Sequence, residues 1–140
     1  MIILDLETTG LNPETSDIIE FAAVKINDDY EVIAELSFLC KPLKTQISPQ
    51  VSYLTHIQAE DLSDKLSFAE HHAEVRAFLA EEEIIIGHNI AFDLGFLAFN
   101  EVKVPDLGLD TQDLAMLFLE PQDSYALEVI STEFNLAHTH

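Results

Sequence analysis

Basic residues are scarce: 6 Lys and Arg stand against 26 Asp and Glu, a formal charge of −20. So acidic a chain repels polyanions at long range. That counts against a simple nucleic-acid-binding module built on a basic patch; contacts to a nucleic acid would have to be local, helped by metal ions or by another domain. Cysteine occurs once, at Cys40, so no intrachain disulfide can form and nothing points to an oxidising compartment. No apolar run approaches the roughly 20 residues of a membrane span. The first residues, MIILDLETTG, have no basic region ahead of the acid at position 5 and do not read as a secretory signal. These absences make a soluble cytoplasmic protein without a membrane partner the expectation. Glycine and proline are also few, at 4 and 5, while 48% of the 140 residues are apolar, which suits one folded domain with a real core.

Residues 1–7 read as a strand, with Ile2, Ile3, Leu4 and Leu6 apolar. LNPETSD, 11–17, carries turn chemistry. IIEFAAVKI, 18–26, and EVIAELSFLC, 31–40, are two more strands joined by the NDDY turn, so the chain opens with an antiparallel meander. After the loop KPLKTQISPQ, the stretch VSYLTHIQAEDL holds one or two short helices. Ser67 and Glu70 have capping-box spacing ahead of Phe68, Val75, Phe78 and Leu79, which predicts a helix over 68–81. EIIIGH, 83–88, is a short apolar strand of the kind buried in a parallel sheet. A helix over 91–100, a short strand in DLGLDT and helices near 112–119 and 124–134 complete the order. A meander leading into βαβ units implies an α/β fold with a mixed sheet flanked by helices.

Asp5 and Glu7 are two apart on a strand and share a face, while Leu4 and Leu6 share the other. Two adjacent anions repel, and burying them unpaired costs several kcal/mol. A bound hard cation, Mg²⁺ or Mn²⁺, relieves both problems; a solvated strand end is the plainer reading of the pair. Asp93 falls in the first turn of a helix just past a buried strand, at the edge where open α/β sheets bind ligands. By itself it reads first as a favourable charge on a helix dipole.

Taken together, Asp5-Leu6-Glu7-Thr8-Thr9-Gly10 and, about 80 residues later, His88-Asn89-Ile90-Ala91-Phe92-Asp93 resemble the DEDD superfamily of 3′→5′ exonucleases. The likeness is to the DnaQ-like (DEDDh) branch, which includes polymerase proofreading subunits. ISPQVSYLTHIQAEDL, LDTQDLA and SYALEVI resemble later landmarks of that branch, so the likeness covers nearly the whole chain. It implies a ribonuclease-H-like fold and two-metal phosphodiester hydrolysis at the 3′ end of single-stranded DNA. It further implies that Asp5 ligates both of two Mg²⁺ or Mn²⁺ ions, Glu7 one of them, and that Asp93 helps hold the second. The backbone at Thr8 and Thr9 would approach the terminal nucleotide, Gly10 would permit that approach, and Leu11 would wedge against the terminal base. His88, Asn89 and Phe92 would lie on the substrate side and shape the pocket. The partner it implies is a DNA polymerase, or a helicase or polymerase domain fused to the nuclease.

The chain departs from that pattern at its last motif. The family has a fourth carboxylate with a general-base His a few residues before it, but here no Asp or Glu follows Glu133. His138 and His140 are the candidate bases, with a polar tail as the plainer reading. The expectation is therefore a 1–140 exonuclease domain that lacks its C-terminal motif and helix, with the base and last Asp past residue 140 and weak activity or none. Other residues carry less. Asp110 reads as an N-cap, His71 and His72 as a helix rim, His56 as no functional group, and Cys40 as packing. Two further readings stand beside DNA cleavage. One is an RNA 3′ exonuclease like oligoribonuclease or RNase T; the other is a non-catalytic scaffold on a nuclease fold.

Overall fold

The first three strands are β1 (Ile2–Thr8), β2 (Ile18–Ile26) and β3 (Val32–Leu39), paired antiparallel as a meander. The computed structural model describes residues 1–136. Two short helices follow, α1 (Pro49–Thr55) and α2 (Ala59–Leu62). A 3-10 turn, Phe68–His71, runs into α3 (His72–Leu79). Then come β4 (Ile84–Gly87), α4 (Ile90–Phe99), β5 (Leu107–Asp110), α5 (Thr111–Phe118) and α6 (Leu127–Glu133). The five strands form one sheet in the order β3-β2-β1-β4-β5, with β1/β4 and β4/β5 parallel. Among the described residues, no helix is long and apolar enough to cross a membrane.

Alternation along β1 sends Ile2, Leu4 and Leu6 into the core and leaves Ile3 and Asp5 exposed, with Glu7 half-buried. Each fully buried Leu or Ile of this kind contributes about 1.5–3 kcal/mol. Opposite Leu6 lies Phe21, also fully buried, whose ring stacks on Phe38 at 5.3 Å between centroids. The inner face is closed by Phe68, Val75 and Leu79 from the 3-10 turn and α3, and by Ile90, Phe96 and Leu97 from α4. Cys40 is fully buried at the end of β3 with its thiol pushed up to about 12, mainly by burial, which fits a packing role.

The helix expected over 68–81 is shorter and divided. Glu70 accepts from both the backbone N–H (2.8 Å) and the hydroxyl (2.7 Å) of Ser67, so the start lies where the capping spacing puts it. The first turn is 3-10, and the helix stops at Leu79, with Ala80 extended and Glu81 at φ 68°. Three consecutive glutamates at 81–83 oppose the negative end of the helix dipole, which is a physical reason to end there. Glu82 instead pairs with Lys25 at 3.3 Å.

Candidate active site

β4 flanks β1 only at its beginning, where Ile2 faces Ile85 and Ile3 faces Ile86. β1 continues to Thr8 while β4 ends at Gly87 and turns into α4. The upper half of β1 is therefore paired on its β2 side and open on the other. Asp93, one turn into α4, fills that opening: the backbone N–H of Leu6 donates to its Oδ1 at 3.0 Å. Asp93 is only 3% exposed. The carboxylates of Asp5, Glu7 and Asp93 thus gather at the carboxyl ends of two parallel strands, where open α/β sheets bind ligands.

Gly87 makes the geometry possible. A Cβ there would lie 3.0 Å from the Leu4 carbonyl oxygen and 2.4 Å from Ile90 Cδ1, so a side chain would push β4 away from β1. Asn89 follows at φ 58°, a left-handed conformation that Asn tolerates better than most residues. Its N–H donates to Asp110 Oδ1 at 2.9 Å, and the same oxygen accepts from Gln112 N at 2.8 Å. Asp110 is thus the N-cap of α5, as its spacing suggests, and also a link to the start of α4. Phe92 is half-buried and tilts against Phe96 at 5.0 Å.

The electrostatics are those of anions crowded without compensation. Glu7 is pushed up to about 7, first by burial and then by Asp5 and Glu20. Asp93 is also raised to about 7, by burial and by Asp5, with the Leu6 N–H pulling the other way. Asp5 is solvent-exposed, yet the surrounding protein displaces enough water to hold its carboxyl above the usual range, while His88 draws it down. Glu20, which sequence reasoning passed over, lies directly opposite Glu7 and is raised by burial and by Asp5. Its signal was present: an acid interrupts the apolar run of β2. Like charges face to face across strands destabilise a sheet. Just beyond, Thr8 pairs with Ile18, so Ile19 is the extra residue of a bulge beside Glu7.

This donor set suits a hard divalent cation, whose charge would offset the mutual repulsion and whose oxygen preference the carboxylates meet. Among the described residues, no three His, Cys, Asp or Glu side chains converge into a ready-made cage. An ion such as Mg²⁺, which keeps several waters, needs no such closed cage.

The loop after β1 turns its polar side chains inward. The Thr8 hydroxyl donates to the Gly10 carbonyl at 2.8 Å, and the Thr9 hydroxyl accepts from Asp17 N at 2.9 Å. Both threonines are buried, and Leu11 at the tip is 86% exposed. A Cβ on Gly10 would meet Ser16 Oγ at 2.7 Å, so packing within the loop already favours glycine there. A brace that the sequence did not signal comes from the loop after β3. Asp17 Oδ2 accepts from the backbone N–H groups of Lys44 (2.6 Å) and Thr45 (3.0 Å). Lys44 Nζ donates to the Pro13 carbonyl at 2.7 Å and lies 4.5 Å above the Phe99 ring.

Not every candidate faces the cleft through free polar atoms. Both ring nitrogens of His88 meet protein partners, Thr111 Oγ1 at 3.1 Å and the Tyr125 carbonyl at 2.8 Å. His71 stacks on Phe38 at 3.8 Å and His72 meets Phe68 edge-on at 5.4 Å, consistent with a helix rim. His138 and His140 lie outside the described residues.

An exonuclease family model, RNase T, matches residues 2–115. PolC-type DNA polymerase III of Thermotoga petrophila is 39% identical over 140 residues, covering 96% of this chain and 10% of the polymerase. The Pediococcus pentosaceus enzyme of the same type is 30% identical over 151 residues, covering 99% and 10%. The chain therefore spans about a tenth of the length of these relatives. Among solved structures, Exonuclease X in complex with 5′ overhanging duplex DNA superposes with a TM-score of 0.72 at 24% identity, over 98% of this chain and 74% of that one. E. coli Exonuclease I in complex with a dT13 oligonucleotide gives 0.79 at 20% identity, over 99% and 36%. At those identities the likeness speaks for the fold alone: the mixed sheet is the ribonuclease-H-like arrangement of exonucleases.

Proposed function

Because the chain belongs to the RNase T exonuclease family, we propose that it removes nucleotides from the 3′ end of single-stranded DNA with the help of two Mg²⁺ or Mn²⁺ ions. The observation that carries this reading is the Leu6 N–H bond to Asp93, which seats a carboxylate from α4 beside Asp5 and Glu7 of β1. In this reading Asp5, Glu7 and Asp93 would hold the ions. When bound, the ions would supply Lewis-acid stabilisation of the attacking and leaving oxygens. The rest falls to the chain itself. Leu11, exposed at the loop tip, wedges against the terminal base, and the braced backbone from Thr8 to Gly10 lines the path of the last nucleotide. Asn89 and Phe92 shape the opposite wall. His138 and His140 are the candidates for taking the proton of the attacking water. The polymerase relatives support a place for the chain as the nuclease portion of a replicative polymerase.

The test is digestion of a 5′-labelled single-stranded DNA oligomer with Mn²⁺, beside the same sequence as RNA and beside Asp5→Ala. A weak ladder shortening from the 3′ end is expected on DNA. Loss of outer-shell partners alone costs about 10–100-fold, so loss of Asp5 should cost more than about 100-fold. Preference for RNA would move the substrate to the ribonuclease reading. Silence on both, with no Mn²⁺ binding sensitive to Asp5→Ala by calorimetry, would leave a scaffold.

A further inference from the structure

We propose that His88 is a positioning residue which seats the segment leading into α6 against the carboxylate edge, rather than a group that touches the nucleotide. The functional part of this proposal rests on the nuclease reading; the structural part does not. His88 lies one residue past Gly87, half-buried, at the end of β4 where Asp93 meets β1. Its Nε2 is 2.8 Å from the carbonyl oxygen of Tyr125, 37 positions along the chain. A carbonyl can only accept, so Nε2 carries a proton and donates it. On the other side of the ring, Nδ1 is 3.1 Å from Thr111 Oγ1, and that hydroxyl also lies 3.1 Å from the Gly87 carbonyl.

Thr111 has one hydroxyl proton for these two neighbours. If it donates to the Gly87 carbonyl, Nδ1–H donates to the Thr111 oxygen and the ring is an imidazolium. If it donates to Nδ1, the ring is neutral with its proton on Nε2. In both arrangements Nε2–H stays on Tyr125 and Nδ1 on Thr111, so no ring nitrogen is left for a phosphate or a base. The proximity of Asp5, whose carboxyl the His88 charge draws down, fits a ring at the rim of the acidic site.

What makes the tie consequential is how little else holds the segment. Tyr125 OH reaches Glu120 O at 3.4 Å, Ala126 N reaches Ser124 Oγ at 3.2 Å, and the Thr132 hydroxyl reaches Glu128 O at 2.8 Å, all local. Leu119 N still donates to Ala115 O of α5 at 2.9 Å, but among the described residues the bond from His88 is the one hydrogen bond that joins the stretch 120–136 to the rest of the fold. The only buried residue of α6 is Ser131. The candidate bases His138 and His140 follow this helix in sequence.

The test uses His88→Ala, His88→Gln and His88→Asn in the 140-residue chain. Glutamine places an amide N–H near the position of Nε2 and can donate to Tyr125; asparagine reaches only the position of Nδ1. The first readout is amide hydrogen exchange over residues 125–133, which needs no activity. His88→Ala should speed it by up to about tenfold, the equilibrium worth of one hydrogen bond. His88→Gln should restore protection and His88→Asn should not. The second readout is steady-state digestion of a 5′-labelled oligothymidylate with Mn²⁺. A positioning role lowers kcat with KM held within about twofold and with rescue by glutamine. A rise in KM at constant kcat, with exchange unchanged, would overturn the proposal in favour of substrate contact. Equal behaviour of the Gln and Asn variants would overturn it as well. If the wild-type chain digests neither DNA nor RNA and also shows no Mn²⁺ binding sensitive to Asp5→Ala, the nuclease reading falls, and the exchange pattern alone decides whether His88 makes the tie.

Discussion

The amino-terminal meander and the carboxy-terminal stretch from β5 to α6 are held in different ways. β1 pairs with β2 from Ile2 to Thr8 and β2 with β3 from Glu20 to Ile26, each ladder broken by one register shift near its end, and Phe21, Leu4 and Leu6 at their centre are almost wholly buried. β5 is four residues long at the sheet edge, and α5 and α6 leave Leu117, Phe118 and Phe134 at 72%, 75% and 50% exposure. Both acids of the first motif stand in the well-packed region. The candidate base lies in sequence beyond the lightly attached one. Asp5 and Glu7 are thus built on a central strand paired on both sides of its start, while the described stretch from β5 to α6 is held by fewer contacts. Local stability is expected to fall in the same direction.

That contrast can be broken by substitution. The largest effect should come from Phe21→Ala: removing a buried, stacked ring should cost about 3–5 kcal/mol in a urea titration, enough to unfold a marginal domain. Gly87→Ala should follow, at about 1–3 kcal/mol, because the added methyl meets the Leu4 carbonyl and Ile90. It should also weaken Mn²⁺ binding, since it pushes apart the strands beside which Asp93 is seated. A substitution that costs stability yet leaves the metal isotherm unchanged would separate the packing from the site.

A subtler test is pH. Glu7 and Asp93 are held at about 7 in the folded chain, against ordinary values of 4.5 and 3.8. Their protonated forms are therefore favoured by folding. That contribution is full below the ordinary values and is lost as pH rises through about 7. In the absence of divalent metal, the urea midpoint should fall over this window. Asp93→Asn keeps an acceptor for the Leu6 N–H but cannot ionise, and should flatten the fall; an unchanged slope would mean that Asp93 is not under this strain. The smallest effect should come from Phe118→Ala, within about 0.5 kcal/mol as for other exposed sites. A cost as large as that of Phe21→Ala would show that the carboxy-terminal stretch is packed as firmly as the meander.

Much of the architecture was legible from periodicity. β2 occupies the apolar run 18–26, and β4 and α4 lie within a residue of the ends that their patterns indicate. The end of α3 was less legible, because an unbroken amphipathic pattern does not show that three glutamates will halt the helix. Asp5 and Glu7 could be put on one face from their spacing, and Asp93 beside a strand end. The loop brace through Asp17 and Lys44 could not be found, since it joins two turns 27 positions apart with no motif in either. His88 was legible as part of a motif but not in its bonding, because its partners lie 23 and 37 positions away.

By itself the sequence determined what backbone periodicity dictates: which residues form strands, that Leu4 and Leu6 lie on one face of β1 and Asp5 and Glu7 on the other, and that Asp110 caps a helix. These follow from the two-residue repeat of a strand and the orphan N–H groups of a helix end. Only the tertiary structure decided which distant groups meet. β4 ends early beside β1, so an unpaired Leu6 N–H draws in Asp93; the β1/β2 register sets Glu20 against Glu7; the end of β4 brings His88 to Tyr125. Such meetings depend on strand length, register and packing summed over the whole chain, and no local spacing encodes them.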